Sequence, residues 1–246
     1  MIRGVIFDLG STLIYFDGEW NQVWQDSLKE LETALRETGT RAVPRRLTDE
    51  FARRMEAYRR DRLDDHQELT TASILIETLT ALGEPVPNDS IVQAALARMY
   101  AHSERFWKPV PGLDSTLEEL QKLNLRMGLL SNAGDEANVQ RLIDRAGIRS
   151  YLDPILISAA LGVRKPSREP FDLILSQWGL RPTQVVMVGD RLDQDILGAQ
   201  RAGLHQIWLR DYAEVEKSIL HEHEPELTGD ALTQVPALIE HLNSKG

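Results

Sequence analysis

The 246-residue chain has no cysteine, which excludes disulfides, thiolate nucleophiles and thiolate metal sites and leaves the compartment open on that count. It has no long apolar run either. Even ILISAALGV, residues 155–163, falls short of the roughly 18 apolar residues of a membrane span, so no membrane association is expected. Arg3 and the apolar residues after it resemble the start of a signal peptide, but Asp8 interrupts the run and no small-residue cleavage site follows, which makes the cytoplasm the expected location. Positive charge is scarce: 28 basic against 38 acidic residues give a net charge of −10, the wrong sign for a general nucleic-acid binder. Lysine is scarcer still, with six against 22 arginines. The 42% hydrophobic and 27% charged content is that of an ordinary globular protein, long enough for one large domain or two smaller ones.

Apolar periodicity divides the chain into a core and an insert. Residues 2–7 read as a strand. From about 19 to 106 the spacing is helical: Trp20, Trp24, Leu28, Leu31 and Leu35; then Leu47, Phe51, Met55 and Tyr58; then Leu69, Leu75, Leu79 and Leu82; then Val92, Ala95, Leu96 and Met99. Gly39 and the EPVPND stretch, 84–89, punctuate these helices, so about four are expected. After Lys108, strands are predicted at 125–131, 154–158, 184–189 and 205–209, separated by helices that stop at Gly147, Gly179 and Gly203. Repeated strand-helix-strand units predict an α/β fold with a doubly wound, parallel, Rossmann-like sheet. Residues 1–14 and 109–246 would form the α/β core domain, and 15–108 a small helical domain inserted in it.

Several apolar strands end on polar groups. VIF ends at Asp8, MGLL at Ser131 and Asn132, and VVMVG at Asp190, while Asp195 lies five residues further on. An ionised Asp inside a doubly covered strand would cost several kcal/mol unless paired, so Asp8 is expected where the strand emerges, facing a ligand or ion. In open parallel sheets ligands bind at the carboxyl ends of strands, so these groups should converge. Three carboxylates there would repel one another unless a cation sat between them, and an oxygen-rich site without Cys or His suits Mg²⁺. Lys165, in GVRKPSREP, adds a compact ammonium where the chain otherwise favours arginine. Cation, ammonium, hydroxyl and carboxylate together make a site for a phosphoryl group, with Asp8 as nucleophile.

These residues resemble the motifs of the haloacid dehalogenase-like superfamily, most of whose members are phosphatases. D8-L-G10-S-T12-L is similar to the first motif, LLSNA with Ser131 to the second, RKP with Lys165 to the third, and G189-D190-RLDQ-D195 to the fourth. The helical insert between the first two motifs resembles the family's small cap, which closes over the site and contacts substrate. The resemblance implies that Asp8 attacks phosphorus, that Ser131 and Lys165 bind phosphoryl oxygens with Asn132 beside them, and that Mg²⁺ is held by Asp8, the carbonyl of Gly10, Asp190 and Asp195. The expected partner is a small phosphorylated metabolite; oligomeric state is not legible.

Gly10 departs from the pattern, because the family's phosphatases carry there a second Asp that protonates the leaving group and later activates water. The metal-binding carbonyl survives the change and the proton carrier does not, a loss worth about 10²- to 10⁴-fold in rate. Two alternatives follow. One is a 2-haloacid dehalogenase, whose halide leaves without a proton, although the Asp190 and Asp195 pair opposes it. The other is a binding or interaction protein with weakened turnover. Elsewhere, Asp193 reads as a helix cap or solvent-facing group, and Trp20 and Trp24 as packed within the insert unless they line the substrate entrance. The arginine-rich stretch from Arg41 to Arg62 reads as a solvated helix face, and His221 and His223 as part of a solvated tail.

Overall fold

The computed structural model of the chain describes residues 1–38, 44–61, 66–213 and 224–245. The His221 and His223 pair, Gly39 and the two ends of the arginine-rich stretch, Arg41 and Arg62, lie outside them. In chain order the strands are β1 (Gly4–Phe7), β2 (Ile14–Phe16), β3 (Trp107–Pro109), β4 (Arg126–Ser131), β5 (Ile155–Ile157), β6 (Val185–Gly189), β7 (His205–Leu209) and β8 (Leu227–Gly229). Six of them form one parallel sheet in the order β5-β4-β1-β6-β7-β8. This is the doubly wound topology expected, with the strand order reversing at β1.

The sheet is buried on both faces, which is why its strands read as continuous apolar runs. Val5, Phe7, Leu129, Val186 and Val188 face a cluster that includes Leu117, Val139, Ile143 and Ile239. Ile6, Leu130, Val185 and Met187 point the other way, toward Phe171, Ile174 and Ala199. The helices on the two faces are α5 (Leu113–Lys122), α6 (Glu136–Ala146), α8 (Glu169–Trp178), α9 (Leu197–Ala202) and α10 (Val235–Lys245), with the short α7 (Ser158–Leu161) after β5. Gly147, Gly179 and Gly203 adopt the left-handed conformation just past α6, α8 and α9, as their positions in the sequence implied.

The insert consists of α1 (Trp20–Glu37), α2 (Pro44–Asp61), α3 (Thr71–Ala81) and α4 (Asp89–Ser103), packed around Leu28, Leu31, Leu35, Phe51, Leu75, Leu79 and Leu96. Two expected members of its apolar faces are placed differently. Leu69 precedes α3, whose first turn is capped by the Thr70 side chain accepting from Ser73 N, and is 41% exposed. Trp20, at the start of α1, is 42% exposed.

β2 and β3 pair antiparallel as a ribbon through which the chain enters and leaves the insert, Tyr15 facing Lys108. The expected boundaries at 14/15 and 108/109 fall inside this ribbon. A second junction lies at residues 66–71, where Glu68 N donates to Gly162 O (3.0 Å), Arg164 N to His66 O (3.0 Å) and Thr71 N to Gly134 O (2.7 Å). None of the helices among the described residues is long and apolar enough to cross a membrane.

Trp178 explains two glycines inside strands. Its indole, anchored by Nε1 donating to Asp153 O at 2.8 Å, lies against β1 and β4 so closely that a Cβ on Gly4 would sit 2.7 Å from the ring and one on Gly128 2.9 Å. Gly128→Ala should therefore destabilise the fold by about 1–3 kcal/mol through overpacking. Trp178→Phe should recover part of that loss. Urea unfolding midpoints of the single and double variants check this coupling.

Candidate active site

Strand register brings the polar strand ends together. Phe7 pairs with both Leu129 and Val188, so Asp8 emerges between Ser131, two residues beyond Leu129, and Asp190, two beyond Val188. Asp195 arrives from a one-turn π-helix, Leu192–Ile196, that follows β6. Arg191 N donates to Asp195 Oδ2 at 2.9 Å, folding the carboxylate back over Gly189, where an added Cβ would overlap it. Gly189, noted in the sequence only as part of a motif, is thus the residue that makes room for Asp195.

Asp8, Asp190 and Asp195 are all buried, and each offers an oxygen within 4.8 Å of those of the other two. Among them stands Lys165, 1% exposed, whose Nζ donates to Asp8 Oδ1 at 2.5 Å and to Leu130 O at 2.6 Å. Nζ also lies 2.7 Å from Asp195 Oδ1. The ammonium thus bridges Asp8 and Asp195 in one buried ion-pair cluster.

The charges do not balance. One ammonium faces three carboxylates, and the acids register it. Burial, with the charges of Asp8 and Asp195 adding to it, pushes Asp190 well above the usual carboxylate range. Burial likewise raises Asp195 to about 6, against the opposing pull of Lys165. Burial alone would depress the Lys165 ammonium, but the charges of Asp195 and Asp8 outweigh it and hold its pKa above normal. An all-oxygen donor set and surplus negative charge together fit a hard divalent cation.

Asn132 is committed to structure rather than pointed at open space. Its Nδ2 donates to Lys165 O at 2.9 Å and Gln194 Oε1 at 2.8 Å, and its Oδ1 accepts from Lys165 N at 2.9 Å. It pins the Lys165 turn to the π-helical turn that carries Asp195. Ser131 is buried at the last position of β4. Asp193 does not cap a helix. Its carboxylate accepts two hydrogen bonds from the Arg191 guanidinium, at 3.0 and 2.9 Å, and it stands outside the three-acid cluster.

At Gly10 the backbone does not demand glycine: it is absent from the positive-φ residues, and a Cβ there would meet the Trp107 ring at 3.6 Å, an ordinary contact. Trp107 begins a run of aromatic contacts leading into the insert, to Phe16 (5.4 Å between centroids), from Phe16 to Trp20 (5.0 Å) and from Trp20 to Trp24 (6.5 Å). Trp20 and Trp24 line a cavity of about 80 Å³ with Met55, Arg59 and Tyr100, the Arg59 guanidinium lying 5.7 Å from the Trp24 ring centroid. They are therefore neither fully packed away nor free. On α2, Arg53 and Arg54 pair with Glu50, in keeping with a solvated face.

Comparison with known proteins agrees with this arrangement. A glyceraldehyde 3-phosphate phosphatase of Methanopyrus kandleri is 27% identical over 210 residues, 85% of this chain and 84% of that protein. The pyrimidine 5'-nucleotidase YjjG of Escherichia coli is 37% identical over 119 residues, 48% of each chain, so the similarity spans about half its length. The crystal structure of a 2-haloacid dehalogenase from Pseudomonas syringae pv. Tomato DC3000 superposes with a TM-score of 0.72 at 23% identity, covering 98% of this chain and 99% of the other, and so shares the fold. A model of the haloacid dehalogenase-like hydrolases matches residues 2–203, more than half of the chain, and the protein belongs to that family.

Proposed function

We propose that the protein is a Mg²⁺-dependent phosphatase that acts on a small phosphorylated metabolite by attack of Asp8 on phosphorus. The observation that carries this reading is the buried cluster itself: a carboxylate at the strand crossover with one oxygen held by an ammonium, flanked by two further acids that need a cation. The phosphatase names of the relatives support the reaction class. Mg²⁺, held by Asp8, the Gly10 carbonyl, Asp190 and Asp195, would neutralise the acids and draw charge from the phosphoryl oxygens.

Lys165 fixes Asp8 Oδ1 and leaves Oδ2 for the attack. A bond forms from that oxygen to phosphorus, the bond to the leaving oxygen breaks, and Lys165 and the Ser131 hydroxyl bind the oxygens of the transferring group. Asn132 acts through Lys165, as a positioning residue. The helical insert serves as the cap over the site, with Trp107, beside Gly10, forming a wall for the leaving group. Water then attacks the phosphorylated Asp8. Position 10 supplies no proton at either stage, so phosphates with good leaving groups, such as acyl phosphates, react best and the second stage is slow. The same glycine favours a second reading, dehalogenation of a 2-haloacid, since halide needs no proton.

Three outcomes are expected. With Mg²⁺ the protein hydrolyses p-nitrophenyl phosphate, while chelator or Asp8→Asn abolishes the reaction; chelator-resistant turnover of a 2-haloacid would establish the second reading instead. Gly10→Asp should raise steady-state turnover of alkyl phosphates, by up to about 10²-fold. Gly10→Ala serves as the control, because the space beside Trp107 admits a side chain without strain. Finally, Asp195 keeps its proton to about pH 6 in the folded state, above its ordinary value near 3.8. The metal-free protein should thus lose stability as pH rises through 6. Addition of Mg²⁺ should raise the melting temperature more at pH 7.5 than at pH 5, and an equal rise at both would count against a cation among these acids.

A further inference from the structure

A second charged site lies beside the catalytic turn. A cavity of about 160 Å³ is bounded by Arg164, Lys165 and Pro166, by Asp193 and Gln194 of the π-helical turn, by Arg201 of α9 and by His66 of the insert. That volume is many times what a single water needs. Arg164 is 3% exposed, and its Nη1 is buried with no hydrogen-bond partner among the described residues.

The one carboxylate near Arg164, Glu68, is 3.8 Å from Nε and already accepts from Ser158 Oγ and the Tyr58 hydroxyl, both at 2.7 Å. Arg201 forms no ion pair among the described residues. Its Nη1 faces His66 Nε2 at 3.2 Å and Pro166 O at 3.4 Å. Asp193 brings a negative charge to the cavity, but two hydrogen bonds from Arg191 neutralise it. Arg164 thus pairs with Glu68 through Nε alone and leaves its buried Nη1 without a partner, while the exposed Arg201 brings a second guanidinium to the same cavity; a buried donor in that condition is costly unless something pairs with it.

We infer that this cavity is a binding site for an oxyanion of the phosphate type, held by Arg164 and Arg201. Guanidinium groups match such oxygens with paired, charge-assisted hydrogen bonds, whereas a halide offers no matching geometry. Occupancy would reach the catalytic centre through a short path. Gln194 borders the cavity and accepts from Asn132, which grips the backbone of Lys165 on both sides. His66 belongs to the insert and Arg164 to the core, so an anion here also ties the two together where Arg164 N already donates to His66 O. Lys165 itself borders the cavity, but none of the three acids of the catalytic cluster does, so anion binding here does not require the phosphatase reading.

Isothermal titration in chelator, at ionic strength held constant with chloride, tests the site. Without a cation the three-acid cluster repels anions, so phosphate binding reports on the arginine cavity. Wild type and Asp8→Asn should each bind one inorganic phosphate per chain. Arg201→Gln, altered at an exposed position, should bind at least about tenfold more weakly, and Arg201→Lys should fall between. No binding above the chloride control would overturn the inference. So would equal affinity in wild type and Arg201→Gln, or loss of binding in Asp8→Asn with full binding in Arg201→Gln, which would put the anion at the catalytic cluster.

Discussion

The ammonium of Lys165 sits where three carboxylates converge under a parallel sheet, and the geometry of the whole centre is tied to it. Each of these groups would be expensive to bury by itself. Together they are held by opposite charge and by the carbonyl of Leu130, which takes a second proton of the ammonium. Removing one partner from a buried ion pair commonly costs about 3–5 kcal/mol, because the remaining charge is left without compensation. The residual imbalance drives the pKa values of Asp190 and Asp195 upward, and a cation among the three acids would relieve it.

This arrangement is kept in place by groups that do no chemistry. Asn132 clamps the Lys165 backbone and reaches Gln194, so the third and fourth motifs cannot move independently. Gly189 leaves room for the Asp195 carboxylate, and Arg191 N holds it there. The insert is joined to the core at the β2–β3 ribbon and again at residues 66–71, with the buried Glu68 carboxylate accepting from Ser158 Oγ across that second junction.

Much of this was legible in the sequence, for physical reasons. Strands covered on both faces must be apolar along their length, so VIF, MGLL and VVMVG stood out, and the polar residue ending each run marked the edge where ligands bind. β8, with the sequence LTG, carries no such run and escaped notice, as did the three-residue strands of the ribbon. A lysine can be recognised as unusual in an arginine-rich chain, but not as the partner of an acid 157 positions away. Nor could spacing show that Asn132 holds a backbone, that Trp107 lies over Gly10, or that Arg164 and Arg201 share a cavity, since each depends on how loops from different crossovers pack.

The central claim is that Asp8 is a nucleophile that becomes phosphorylated, and that the glycine at position 10 makes release slow. Acid quenching of the Mg²⁺-loaded protein during turnover of p-nitrophenyl phosphate, followed by peptide mass spectrometry, tests it directly. One phosphoryl group per chain is expected, on the peptide that contains Asp8 and at that residue. Continued hydrolysis with a phosphoryl group on any other residue, or with none trapped at Asp8, would contradict it.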